Sequence, residues 1–174
     1  MKQAALFAFV GAAFLAHWVV ADPSYEGSAS QSEWAYVLFF SGVILLLALA
    51  VPLLARPVDG RLATRVSLVV AAGASLGSIA NIFEDGLQVG WVFFVFVLGS
   101  AIMLLGLLAL TIVIVLTGRG SQRLLAFVPA GTLAAIVLYV PAGGPLMLAS
   151  WVIAATLALA LPARATALAT SATP

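Results

Sequence analysis

Cysteine is absent from all 174 residues, which excludes disulfides, thiolate nucleophiles, iron–sulfur clusters and thiolate zinc sites. Charge is nearly as scarce: charged residues make up 7% of the chain, where an ordinary soluble domain carries about 25%. Seven Lys or Arg, six Asp or Glu and one His cannot clothe a water-soluble fold of this length. A formal net charge of +1 offers neither a basic surface for nucleic acid nor an acidic tail for a cationic partner, so nucleic-acid binding is set aside. One histidine cannot build a bis-His haem site, and the scattered carboxylates lack the close imidazole or thiolate ligands of a transition-metal centre. No metal site is expected, and the sequence specifies no cofactor. Phosphate loops, the H-E-x-x-H element and nucleophile–base–acid spacings are also missing.

What the chain has in quantity is apolar residues, 64% of the total. They fall in six runs, at 4–21, 34–55, 66–83, 91–117, 124–140 and 146–161. A helix rises about 1.5 Å per residue and needs about 20 residues to cross about 30 Å of hydrocarbon, which the first four runs supply. The last two are shorter and flank Pro141, Gly143, Gly144 and Pro145, read as a turn; they are expected to be thin full spans, with a re-entrant hairpin the alternative. The expected architecture is an all-α, polytopic bundle of six transmembrane helices over 1–162, with a flexible tail at 163–174. Residues 1–21 also resemble a secretory signal, with Lys2, an apolar stretch and Val19-Val20-Ala21. We read them as a retained first helix, with a cleaved, five-span product the alternative.

Orientation follows from the loops, because cytoplasmic loops retain Lys and Arg. With both termini inside, Lys2, Arg56, Arg61, Arg65, Arg119, Arg123 and Arg164 all fall on the cytoplasmic side. Asp22, Glu26, Glu33, Glu84 and Asp85 fall outside, leaving Asp59 as the one inner acid. Six Arg to one Lys in an Ala-rich chain points to a bacterial source, and so to the bacterial inner (plasma) membrane. Trp18, Tyr25, Trp34, Tyr36, Trp91, Tyr139 and Trp151 all map to the outer side or outer helix halves, whereas aromatic belts ordinarily line both interfaces. Interfacial anchoring explains most of these positions. An aromatic-lined outer mouth explains the asymmetry as well.

The third run carries the most informative pattern. Gly73, Gly77, Asn81, Glu84, Asp85 and Gln88 lie within a helical stripe of about 120°. The Gly73/Gly77 spacing allows close helix packing, within the chain or with a second copy or membrane subunit; Gly99 and Gly106 offer a second such face on a fourth helix that flexes at Gly99-Ser100. Asp85 is read as a cap on the fourth helix, and residues 30–33 as a capping box on the second. Glu84, at the unfavourable end of the helix dipole, needs a compensating partner, with Asn81 and His17 at similar depth.

These features lead to an expected outer-leaflet site of His17, Asn81, Glu84, Trp18, Trp91 and Trp151, binding a lipid-like or small ligand or a partner subunit, without catalysis. Two other classes stand beside it. One is a proton-coupled transporter using His17 and Glu84, weakened by the lack of charge across the cytoplasmic half. The other is a membrane enzyme acting on a lipid or isoprenoid, with Glu84 as general acid or base.

Overall fold

A computed structural model describes residues 1–20, 34–58 and 60–171, with side chains described for all of these except 139–141 and 161–171. It is all-α. Helix α1 spans Lys2–Val20, α2 Trp34–Ala55, α3 Arg61–Asn81, α4 Phe93–Thr117, α5 Phe127–Val137 and α6 Tyr139–Ser171. A π-helical turn, Ile82–Gly86, extends α3; 3₁₀ turns at Gly90–Val92 and Gly120–Ala126 lead into α4 and α5. Among the described residues, six helical segments are long and apolar enough to cross a membrane. In hydrocarbon, backbone amides and carbonyls have no water to bond, so apolar runs of this length satisfy them within helices.

Three antiparallel pairings position the upper half of the bundle. Residue 41 of α2 meets 78 and 81 of α3, while Trp34 meets Gly86 one end further on. Along α3 and α4 the pairs are Val70 with Gly106, Gly73 with Met103 and Gly77 with Ser100. On α1 and α6, Gly11 meets Leu148 and Trp151, and Trp18 meets Gly144. A small second cavity, bounded by Gln3, Phe7, Leu53, Leu54, Pro57 and Leu125, brings the start of α1, the end of α2 and the approach to α5 together at the other end. Lys2, Arg56, Arg61, Arg65, Arg119 and Arg123 are all at that end and exposed.

Glycine sets the closest of these contacts. A methyl group on Gly73 would lie 2.6 Å from the Met103 amide nitrogen and 2.9 Å from the Gly99 carbonyl oxygen; on Gly106 it would lie 2.7 Å from Val70 Cγ2. Gly73, Gly77, Gly99 and Gly106 therefore seam α3 to α4 of the same chain. Of the two kinds of packing open to the Gly73/Gly77 face, within the chain or with another, the structure shows the first, against α4. Helix α4 runs unbroken through Gly99 and Ser100, the expected flex point.

Two local expectations are corrected. Residues 141–145 are not the turn between the last two helices: α5 ends at Val137, the chain turns at Leu138, and the Pro-Gly segment forms the first turns of α6. Pro141 is tolerated there because the first amides of a helix have no intrahelical acceptor, Pro145 follows one turn further on, and Gly144 leaves room for the Trp18 ring, 2.8 Å from where a Cβ would stand. Asp85 does not cap α4. Val89 and Val92 occupy the cap positions before the 3₁₀ turn and α4, and neither makes a side-chain cap bond. The turn is closed instead by the Gln88 side chain, which donates to the Asp85 carbonyl oxygen at 2.7 Å, with Gln88 itself at φ 57°. The capping box at 30–33, Asp22, Tyr25, Glu26 and Asp59 lie outside the described residues, as do the side chains of Tyr139 and Arg164.

Candidate ligand cavity

The polar stripe of α3 points between helices. Ser78 and Asn81 are one turn apart and both buried. The Ser78 hydroxyl donates to the Ser41 carbonyl oxygen at 2.7 Å, and the Asn81 amide donates to the Ser41 hydroxyl oxygen at 3.3 Å. Both bonds cross from α3 to α2, where hydrocarbon would leave these groups unsatisfied. One turn further, the π-helical segment carries Asp85 on the same face, half-buried, with its carboxyl within hydrogen-bond reach of Glu84.

Above this stripe lies a cavity of about 360 Å³ between α1, α2, α3 and α4, with Ile136 of α5 at its edge. Asn81, Asp85, Ser78 and Ser100 supply its polar lining with His17, and Phe14, Tyr36, Phe40 and Phe96 its aromatic walls. Gly73, Ala74 and Gly77 leave it open on the α3 side, and Ile44, Met103 and Leu104 complete an apolar lining. His17 is 1% exposed and seated among rings, with centroids 4.9 Å from Tyr36, 5.1 Å from Phe40 and 5.6 Å from Phe39. It stands one turn below the end of α1, at the depth where α2 begins and α3 ends. The cavity is thus at the end of the bundle opposite the basic residues.

The structure brings two of the six expected ligand residues, His17 and Asn81, into one cavity lining. Glu84 stands beside Asp85 but outside the lining. Trp18 packs on Gly144 at the head of α6. Trp91 is 72% exposed at the approach to α4. Trp151 is fully buried, its indole nitrogen donating to the Thr132 hydroxyl oxygen at 3.1 Å and its ring tilted against Phe7 at 5.5 Å. The residues not singled out from the sequence are Ser41, Phe14, Phe40, Phe96 and, as a lining group, Asp85. For Asp85 a signal existed: Ala74, Ser78, Asn81 and Asp85 recur at helical spacing, and all four line the cavity. Among the described residues, no group of three or more His, Cys, Asp or Glu is placed to hold a metal ion.

Among the described residues, six apolar helical segments, packed in part through glycine, define a multi-pass membrane protein in contact with the lipid bilayer. Comparison with known protein families, with curated proteins and with solved structures found no match.

Proposed function

We propose that this is a non-enzymatic membrane protein that binds a small or lipid-like ligand in the α1–α4 cavity, at the outer-leaflet end of the bundle. One observation carries the reading: the chain's single histidine, Asn81 and Asp85 converge on an aromatic-walled, mainly apolar cavity of about 360 Å³. Ligand sites have this make-up, with hydrophobic walls supplying affinity and a few placed polar groups fixing orientation. A partner helix, about 10 Å across, does not fit among helices packed this closely. The ligand is therefore a molecule or an inserted chain rather than a membrane subunit. The outer-leaflet placement is supported by charge: six described basic residues mark one end and Glu84 and Asp85 the other, so cytoplasmic retention of Lys and Arg puts the termini inside. Residence in a bacterial plasma membrane rests on composition.

Native mass spectrometry of the protein released from native-lipid nanodiscs tests the reading. A bound species is expected on the wild type, with occupancy lowered about tenfold, or roughly 1.4 kcal/mol, by His17→Ala and by Asp85→Asn. Glu84→Gln, outside the lining, is the control and retains the ligand. If His17→Ala and Asp85→Asn both fold and both keep the wild-type ligand complement, the site is wrong.

A further inference from the structure

We infer that the ligand of this cavity is a cation, a lipophilic amine or quaternary ammonium whose counter-ion is Asp85; the inference rests on the binding reading above and names its chemistry. The lining contains one carboxylate and no Lys or Arg. An ionised carboxylate facing an apolar cavity is costly unless a positive charge or strong donors meet it. Among the described residues the neighbouring titratable groups are Glu84, within hydrogen-bond reach of Asp85, and His17 in the same lining; neither is a permanent cation, and the six described basic residues stand at the opposite end of the bundle. A ligand that brings the charge resolves that cost, a neutral one leaves it, and an anionic one adds repulsion.

The walls make the same selection by a different interaction. Phe14, Tyr36, Phe40 and Phe96 come from three helices. Aromatic faces carry negative quadrupole potential, and rings surrounding a site are how quaternary ammonium groups are held in proteins. Among the described residues Glu84 and Asp85 stand at this end of the bundle and the basic residues at the other, so the potential here favours cations over anions. A zwitterionic phospholipid head is less suited, since nothing basic in the lining receives its phosphate.

Three probes of similar shape and different charge test this in detergent-solubilised full-length protein, by thermal shift over a concentration series. They are benzyltrimethylammonium, its uncharged carbon analogue neopentylbenzene, and benzylsulfonate. The cation is expected to bind best, Asp85→Asn to weaken it about tenfold or more, and the neutral probe to be indifferent to that substitution. Phe40→Leu, which keeps apolar bulk but removes one ring, is expected to weaken the cation about threefold and the neutral probe hardly at all; it keeps the test alive if Asp85→Asn does not fold. Equal affinity for cation and neutral probe, or a cation affinity untouched by both substitutions, overturns the cation while leaving a ligand cavity in place. Failure of all three probes to bind the wild type overturns the binding reading itself.

Discussion

Ser41 holds two hydrogen bonds that tie α2 to α3, one accepted by its carbonyl and one by its hydroxyl. Only the second is lost in Ser41→Ala, and interhelical bonds of this kind average about 0.6 kcal/mol in membranes. Unfolding in micelles should therefore show a loss of about 0.5–1 kcal/mol. Thr111→Ala is the comparison, because Thr111 donates only to the Leu107 carbonyl of its own helix; it should cost less. Trp151 and Trp91 separate structure from binding in the same way. Trp151→Phe deletes the bond to Thr132 from a fully buried position and should lower stability by about 1 kcal/mol while ligand occupancy is unchanged; Trp91→Ala, at an exposed position, should move neither. At this scale the sequence was legible for His17 and Asn81, because a polar group in an apolar run has few places to go. Trp151 was misleading in depth and in direction: it stands level with Gly11, midway along α1, and its ring turns toward Phe7 and Thr132 in the α1, α5 and α6 contact, away from the cavity. Asp85 was hidden by a local pattern, Asp-Gly-Leu-Gln, that imitates a helix cap, whereas its spacing from Ser78 and Asn81 places it on the interior stripe.

Among the elements, the α3/α4 seam is the most demanding. Leucine at Gly73 or Gly99 would have to occupy space taken by the backbone of the facing helix, which cannot move aside as a side chain can. Overpacking of this kind costs about 1–3 kcal/mol or more, so Gly73→Leu and Gly99→Leu should each destabilise the bundle by at least that amount in micelle unfolding. Gly42→Ala and Gly90→Ala, where a methyl group meets nothing within 4 Å, should be silent. The spacing of Gly73 and Gly77 announced close packing, yet the partner was set by tertiary structure: Gly99 of the next helix meets both of them, and Gly106 meets Val70 two turns on. The α5/α6 boundary shows the opposite outcome. Proline and glycine ordinarily mark turns, but a helix tolerates proline in its first turn, as at position 141, and here Gly144 serves as a seat for Trp18.

For the whole molecule, segregation of charge is the property that orients the bundle and shapes the cavity's potential. Because the chain has no native cysteine, single-cysteine variants report sidedness without background. In intact cells, Gln88→Cys should react with a membrane-impermeant maleimide, and Ser121→Cys should react only after permeabilisation. The reverse pattern would invert the assigned orientation and place the cavity in the inner leaflet. The number of helices was readable from hydropathy because a bilayer imposes a fixed length on each apolar run. The cavity was not, since an empty volume depends on how four helices diverge, and no spacing along one chain encodes that.

If the α1–α4 cavity is a ligand site, protein kept in native lipid carries its ligand there. A crystal structure grown from lipidic cubic phase, with native lipid retained through purification, tests it most directly. Ordered non-protein density is expected between the rings of Tyr36 and Phe40, within hydrogen-bond reach of Asp85 or Asn81. A cavity closed by repacking of Phe40 and Phe96, with Asp85 turned out to solvent, would contradict it.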